Sequence, residues 1–462
     1  MKYDAFFEAN VENMIRDVQR LVRIRSVEDI PQAGMPFGEG VEQALKEALA
    51  ICEESGYQTT NLDGYAGYAE TGQGEEVVGI LVHLDVVPEG SGWRKDPYGG
   101  EVEGGRIYGR GTSDDKGPAI AALYALKAVE ASGIALNKRV RIIFGTNEES
   151  GCLCIKHYVE REGHVDIGFT PDAAFPLIHG EKMILQLDIL IPNEGEQRET
   201  YLMDISGGSA VNMVADECRA TLHSNEPEKL VGQFDAFIVQ HPIKGAYTVS
   251  DDEITFQIKG ASSHGSRPEE GVNAIAHMIQ FLKTVQLGKG AAFTEIFDKL
   301  FALEVNGALM GLNLSDKYGQ TTLCVGNIQT KEDGIHVGID LRCPITAEYE
   351  DVIRRLDGAV QAVQARYSVL EYKQALFMPP EDKLVVSLMD CYREVTGDDA
   401  AQPFTIGGGT YARTMNNILG FGMLFPDEED RMHKQDESIA IDSLLKAAKI
   451  YAAAIERLAA GE

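Results

Sequence analysis

Acids and histidines gather at five short sites in this chain, and their types suit the binding of divalent cations. His83 stands two residues before Asp85 in HLDVVPEGSGW (83–93). A histidine that gives one ring nitrogen to a metal needs an oxygen acceptor at the other, and Asp85 is close enough to serve. Asp114 and Asp115 are adjacent in GRGTSDDKG (109–117), and Glu148 and Glu149 are adjacent in GTNEESG (145–151). Asp172 lies in TPDAAFP (170–176) and His433 in MHKQDES (432–438). Each site has a plain structural reading when taken alone. His83 can be a partly buried strand-end histidine, the Asp pair a helix N-cap, and the Glu pair a solvated acidic turn. Together they supply two imidazoles and several carboxylates, a donor set for two zinc, manganese or cobalt ions. Two such ions about 3.5–4 Å apart polarise a carbonyl and deliver a hydroxide at neutral pH. Neighbouring Glu148 and Glu149 repel unless a cation or proton intervenes, so one suits a ligand and the other a general base.

The elements that must position these residues follow from the apolar pattern. Residues 11–25 and 40–56 have helical spacing. VVGILVHLDVV (77–87) is a short β-branched run that predicts a buried strand, followed by a helix over 116–133 that stops at Gly133. A strand over 139–146, a helix over 152–161 and a strand over 165–172 continue the alternation. Strands alternating with helices predict an α/β fold, with a mostly parallel mixed sheet flanked by helices. The candidate residues fall where those strands end, which is where ligands sit in open α/β sheets. From residue 183 strands dominate, at 182–191, 253–260, 323–329 and 336–343, with helices near 271–287 and 347–365. This predicts an inserted α+β domain with an antiparallel sheet. The expected division is a catalytic domain over 1–182 and 379–462, with the insertion over 183–378. The last part is expected to hold a helix from 379, a Gly-rich turn at 407–409, a strand over 420–425 and a final helix from about 437.

HLDVVPEGSGW, YGRGTSDDKGP, GTNEESG, FTPDAAFP, ASSHGSRPEEGVNA and GGGTYAR together resemble the dinuclear metallopeptidase family of carnosinase, aminoacylase and the glutamate carboxypeptidases. Within it, the chain looks most like the bacterial PepV-type (Xaa-His) dipeptidases. The motifs run through both expected domains in order. The resemblance implies that His83 and Asp172 bind one metal, Glu149 and His433 the second, and Asp114 both. It also implies a cis bond between Asp114 and Asp115. Asp85 would orient His83, and Glu148 would be the general base that takes the proton of the water bridging the metals and passes it to the leaving amine. His264, in SSHGSRPE, would donate to the oxyanion of the tetrahedral intermediate; its plain reading is a residue of a helix-capping loop. Asn212 and Arg342 resemble residues that grip the substrate, an arginine suiting a free carboxylate. Gly408, Gly409, Thr410 and Arg413 resemble a loop that holds the substrate's C-terminus, although Arg413 can equally be a salt-bridge partner.

The implied activity is a metal-dependent dipeptidase acting on small peptides with free ends. The rivals are an N-acyl amino acid amidohydrolase on the same centre and a catalytically silent metal- or peptide-binding protein. A general base beside a ligand argues against the silent reading. A phosphate-binding role for GRGTSDDKG fails because paired aspartates repel phosphate and the P-loop spacing is absent. Composition narrows the field further. With 42 basic and 72 acidic residues the chain carries a net charge of −30, which excludes the basic face that nucleic acid requires. No apolar run approaches the roughly 18 residues that span a bilayer, and residues 1–26 mix charges in place of an export signal. Seven scattered cysteines fit a reduced, cytoplasmic setting. Cys152 and Cys154 form a Cys-x-Cys pair, read as small buried thiols ahead of a soft metal site. The resemblance makes the 183–378 insertion a lid, and its length resembles the arrangement in which one chain supplies both halves of the site, which implies a monomer ahead of a dimer.

Overall fold

The computed structural model describes residues 2–460 and divides the chain into two compact units. The first contains the residues up to His179, Met378–Thr405 and those from Gly409 on; the second contains Gly180–Phe377 and Ile406–Gly408.

The first unit is built on a mixed sheet. Its spatial order runs Gln58–Leu62, Ala66–Gly72, Arg139–Gly145, Val77–His83, Ile167–Thr170, Ile418–Gly420 and then the strand beginning at Ile178. The central pairings are parallel, joining Arg139–Gly145 to Val77–His83, that strand to Ile167–Thr170, and Ile167–Thr170 to Ile418–Gly420. Both flanks are antiparallel. Val77–His83 is buried along its whole length, the burial expected of a central strand covered on both faces. Two glycines set the spacing of its pairing. Gly79 lies opposite Gly168, and a Cβ on Gly168 would stand 1.9 Å from the Gly79 carbonyl oxygen. Helix Lys116–Ala131 is apolar nearly all round and buried from Lys116 to Leu126. It packs between the Asp4–Val22 and Ile441–Ala459 helices, each of which buries one apolar stripe.

The second unit holds an eight-stranded antiparallel sheet ordered Lys244–Ser250, Glu253–Lys259, Glu217–Ser224, Thr200–Gly207, Thr322–Lys331, Gly334–Cys343, Met183–Ile191 and Arg366–Lys373. Inward positions such as Leu185, Leu187 and Ile189 join Phe234, Phe281 and Phe297 of the helices in one core. Helices Pro227–Val239, Ala274–Thr284, Ala291–Leu300 and Tyr349–Ala362 supply the rest of it.

Several local expectations change. The first helix begins at Asp4 rather than residue 11, with Phe7 completing its buried stripe. The strand expected over 420–425 is two short strands, because Ile418–Gly420 pairs with Ile167–Thr170 while Met423–Leu424 pairs with Ala173–Ala174. The last helix begins at Ile441, not 437. Ser438–Ala440 is instead a strand paired with Arg106–Tyr108. Among the described residues no helix is long and apolar enough to cross a membrane.

Candidate metal centre

All five proposed ligands lie in the first unit, on segments delivered by neighbouring strands. His83 closes the Val77–His83 strand, and Glu148 and Glu149 follow the parallel strand that ends at Gly145. Asp172 follows the strand ending at Thr170. Parallel strands bring their carboxyl ends to one edge, so three segments far apart in sequence meet there. Asp114 comes from the loop ahead of helix Lys116–Ala131, and the Asp114–Asp115 peptide is cis, as the resemblance implied. His433 comes from the loop after Met423–Leu424.

Asp114 is the hub. Its Oδ1 lies 2.9 Å from His83 Nε2 and its Oδ2 2.9 Å from His433 Nε2. One carboxylate thus presents each oxygen to a different imidazole. His433 Nε2 is also 3.3 Å from Glu149 Oε2, and His83 Nε2 is 3.9 Å from Asp172 Oδ2. Donor atoms of His83, Asp114 and Glu149 fall within 4.8 Å of one another, as do those of His83, Glu148 and Asp172. The other ring nitrogen of His83, Nδ1, lies 3.0 Å from the backbone oxygen of Asp85. An N–H there donates to that carbonyl, which leaves Nε2 as the nitrogen facing the carboxylates. The Asp85 carboxylate is farther from the ring, at 3.6 Å. It accepts instead from the backbone N–H groups of Glu148 and Glu149, both at 3.0 Å, and so fixes the turn that carries the two glutamates.

The electrostatics are those of a cation site. Burial, reinforced by the Asp172 charge, pushes the Glu148 carboxyl well above the usual carboxylate range. Burial and Asp114 raise Asp172 to about 7. Hydrogen bonds to Asp114 and Glu149 raise His433 to about 11. Burial alone would depress His83, but Asp114 and Asp85 hold it well above its ordinary value. Crowded carboxylates that resist ionisation together are stabilised by a nearby positive charge. Glu149 Oε1 is buried without a hydrogen-bond partner. That orphaned oxygen, and a donor set of two imidazoles and carboxylates, fit divalent cations of the zinc type.

Other predicted residues lie in the second unit. Nδ1 of His264 accepts from the Ser266 backbone N–H at 3.1 Å and lies 2.7 Å from the Ser266 hydroxyl. An accepting Nδ1 puts the ring proton of neutral His264 on Nε2. Burial and the Arg342 charge lower its pKa, which favours that neutral form. Asn212 accepts through its backbone oxygen from Gly265 N–H at 2.7 Å and so sits beside the His264 turn. Arg342 donates through Nε and Nη2 to Asp340 at 3.0 and 2.7 Å, and through Nη1 to the Gly407 oxygen at 2.7 Å. These bonds tie Arg342 to the Gly407–Gly408 segment of the same unit. Gly409, Thr410 and Arg413 belong to the first unit, where the Thr410 hydroxyl caps the short Tyr411–Thr414 helix. Cys154 is buried, with its Sγ 3.1 Å from the Tyr411 hydroxyl, and all seven cysteines are free thiols.

Sequence reasoning assigned nothing to Arg110, Lys116 or Glu437, all of which are buried. Lys116 donates to the Leu21 and Ile24 carbonyls at 3.1 and 2.8 Å, tying the first helix to the Asp114 loop. The available signal was position. Each is a charged residue inside a motif already singled out, where a long side chain has no obvious route to solvent.

The sequence profile of peptidase family M20/M25/M40 matches residues 79–457. The "Putative dipeptidase YtjP" of Bacillus subtilis (strain 168) is 38% identical, over 97% of this chain and 97% of its own. The "Putative dipeptidase SSP1012" of Staphylococcus saprophyticus subsp. saprophyticus is 36% identical, also over 97% of each chain. Among solved structures, human carnosine dipeptidase 1 superposes with a TM-score of 0.58 at 15% identity, over 98% of this chain and 97% of that one. The di-peptidase Dug1p of Saccharomyces cerevisiae gives 0.57 at 15%, over 99% and 98%. At such identity these two structures speak for the fold.

Proposed function

The chain belongs to peptidase family M20/M25/M40, and from that premise we propose that it is a metal-dependent dipeptidase acting on small peptides with free amino and carboxyl ends. One observation carries the reading. Asp114 offers its two oxygens to two histidines, His83 and His433, at 2.9 Å each, with Glu149, Asp172 and Glu148 clustered about them. In this reading His83 and Asp172 hold one divalent cation, Glu149 and His433 hold a second, and Asp114 serves both. Zinc suits the donors best, with manganese or cobalt as substitutes. Bound there, the cations supply a Lewis acid for the peptide carbonyl and make an attacking water more acidic.

The chain's own residues do the rest. Glu148, whose carboxyl burial drives up, takes the proton of the attacking water and hands it to the leaving amine. Asp85 keeps Glu148 and Glu149 in register through their N–H groups. His264, with its proton on Nε2, donates to the oxyanion. Asn212, Arg342, Gly408, Gly409, Thr410 and Arg413 are the proposed grip on the substrate. Binding both ends of a substrate at a fixed separation gauges its length, which favours dipeptides, and the names of the 38% and 36% identical relatives support that choice. A monomer is proposed from the length of the 183–378 lid. Seven free thiols support a cytoplasmic setting.

The test is a substrate panel of dipeptides, tripeptides and N-acetyl amino acids offered to the zinc-loaded protein. Preference for dipeptides supports the reading. Preference for acetylated substrates replaces it with an amidohydrolase on the same centre. Saturable metal binding with no hydrolysis of any member returns the silent binding protein.

A further inference from the structure

We propose that Glu437 is a positioning residue of the cation centre, its buried carboxylate holding the 111–114 backbone so that Asp114 faces His83 and His433 at once. The observation is a carboxylate with no exposed surface and both oxygens occupied. Oε1 accepts from three backbone N–H groups, those of Gly111, Ser113 and Asp114, at 3.0, 2.9 and 3.3 Å. Oε2 accepts from Arg110 Nη1 at 2.6 Å. The Arg110 guanidinium in turn lies over the Trp93 ring, 5.3 Å from its centroid.

The backbone of Glu437 is engaged as well. Its carbonyl accepts from Gly109 N–H at 2.9 Å, and Ser438 pairs with Tyr108 in the short sheet that follows. One residue earlier, Asp436 accepts from the Arg94 backbone N–H at 2.8 Å and from its Nε at 2.5 Å. The loop that carries His433 is therefore tied down within four residues of the histidine, and the tie ends on the loop that carries Asp114. Both elements would otherwise be irregular backbone, free to vary the separation between Asp114 Oδ2 and His433 Nε2. Three N–H groups converging on one oxygen fix the loop by direction as well as distance. Arg110 balances the charge of that oxygen's carboxylate in the interior.

The inference rests on the two-cation reading, and the test separates the two. Glu437→Asp keeps the buried charge and shortens the reach by one methylene, so it retains a partner for Arg110 but draws away from the three N–H groups. Glu437→Gln, made with Arg110→Met so that no guanidinium is left unpaired, keeps an accepting oxygen at full reach and removes the charge. Zinc affinity by chelator competition, and the visible absorption of the cobalt-loaded protein, are read for each. The expected result is an affinity loss of about 10–100-fold and an altered cobalt band for Glu437→Asp, with both near wild type in the Arg110→Met, Glu437→Gln protein. The reverse order, or wild-type affinity and spectrum in Glu437→Asp, overturns the assignment and leaves the two-cation reading standing. Failure of the wild-type protein to bind any zinc or cobalt sinks both. If Glu437→Asp does not fold, hydrogen exchange on the metal-stripped wild-type chain decides. The peptide over residues 109–116 should be as protected as helix Lys116–Ala131, and loop-like exchange there overturns the proposal.

Discussion

His264 illustrates how a backbone contact sets chemistry at the scale of one side chain. The Ser266 N–H points at Nδ1, so the neutral ring has only Nε2–H to donate. His264→Ala should lower kcat by about 10²–10³-fold, the usual cost of an oxyanion donor, while the zinc content by atomic absorption stays at the wild-type value. Loss of zinc together with rate would mean that the histidine acts on the centre and not on the oxyanion. The candidate ligands were legible as residue types because metal chemistry needs particular atoms, and His83, Asp114, Glu149, Asp172 and His433 each lie in a recognisable motif. The bonding of Asp85 was not legible. A His-x-Asp spacing suggests a carboxylate on the imidazole, whereas the backbone oxygen lies closer to the ring and the carboxylate reaches across to the glutamate turn. Spacing along the chain does not say which of two oxygens on one residue reaches a given partner. Glu437 and Arg110 were illegible for a related reason, since their meaning lies in a contact between residues 327 positions apart.

Among the elements, the central strands Val77–His83 and Arg139–Gly145 announced themselves through short runs rich in Val and Ile, and helix Lys116–Ala131 through its apolar length. The Gln58–Leu62 and Ala66–Gly72 hairpin did not, because QTTNL and AGYAETG carry little apolar alternation and are strands by virtue of their pairing, Ala66–Gly72 with Arg139–Gly145 and Gln58–Leu62 with Ala66–Gly72. The final helix starts late for a similar cause: Ser438–Ala440 has a better use as a partner for Arg106–Tyr108. Gly168 tests the packing of the strands behind the site. Gly168→Ala forces a methyl against the Gly79 carbonyl and should destabilise by about 1–3 kcal/mol, read as a lower denaturant midpoint with unchanged m; an unchanged midpoint would mean that the pairing gives way freely. His336 tests an ion pair within the antiparallel sheet. Burial works against its charge, but Asp333 and Asp188, at 2.9 and 2.6 Å, raise its pKa. A raised folded pKa gives stability that is complete below the unfolded value of about 6.5 and is lost as pH climbs through the folded value. The stability gap between wild type and His336→Gln should therefore be wider at about pH 5.5 than at about pH 9. A gap that is constant or widens with pH would contradict this.

For the whole molecule, the crowding of carboxylates and imidazoles at one edge of a sheet makes cation binding and folding a linked equilibrium. A ligand that binds only the folded chain stabilises it by mass action, about 2.7 kcal/mol per site at a hundred times its Kd. Chelation should lower the thermal midpoint and zinc should restore it. An unchanged midpoint, with zinc shown to be bound, would mean that the centre contributes nothing to the fold. The net charge of −30 adds general repulsion, which a bound cation relieves locally. The most direct measurement follows dipeptide hydrolysis as metal-stripped protein is titrated with zinc, beside Glu148→Gln treated alike. The prediction is activity that reaches its plateau at two equivalents, with the variant binding the same two equivalents and slower by about 10²–10⁴-fold. Hydrolysis by the stripped protein, or full activity in Glu148→Gln, would contradict a two-cation peptidase with Glu148 as its base.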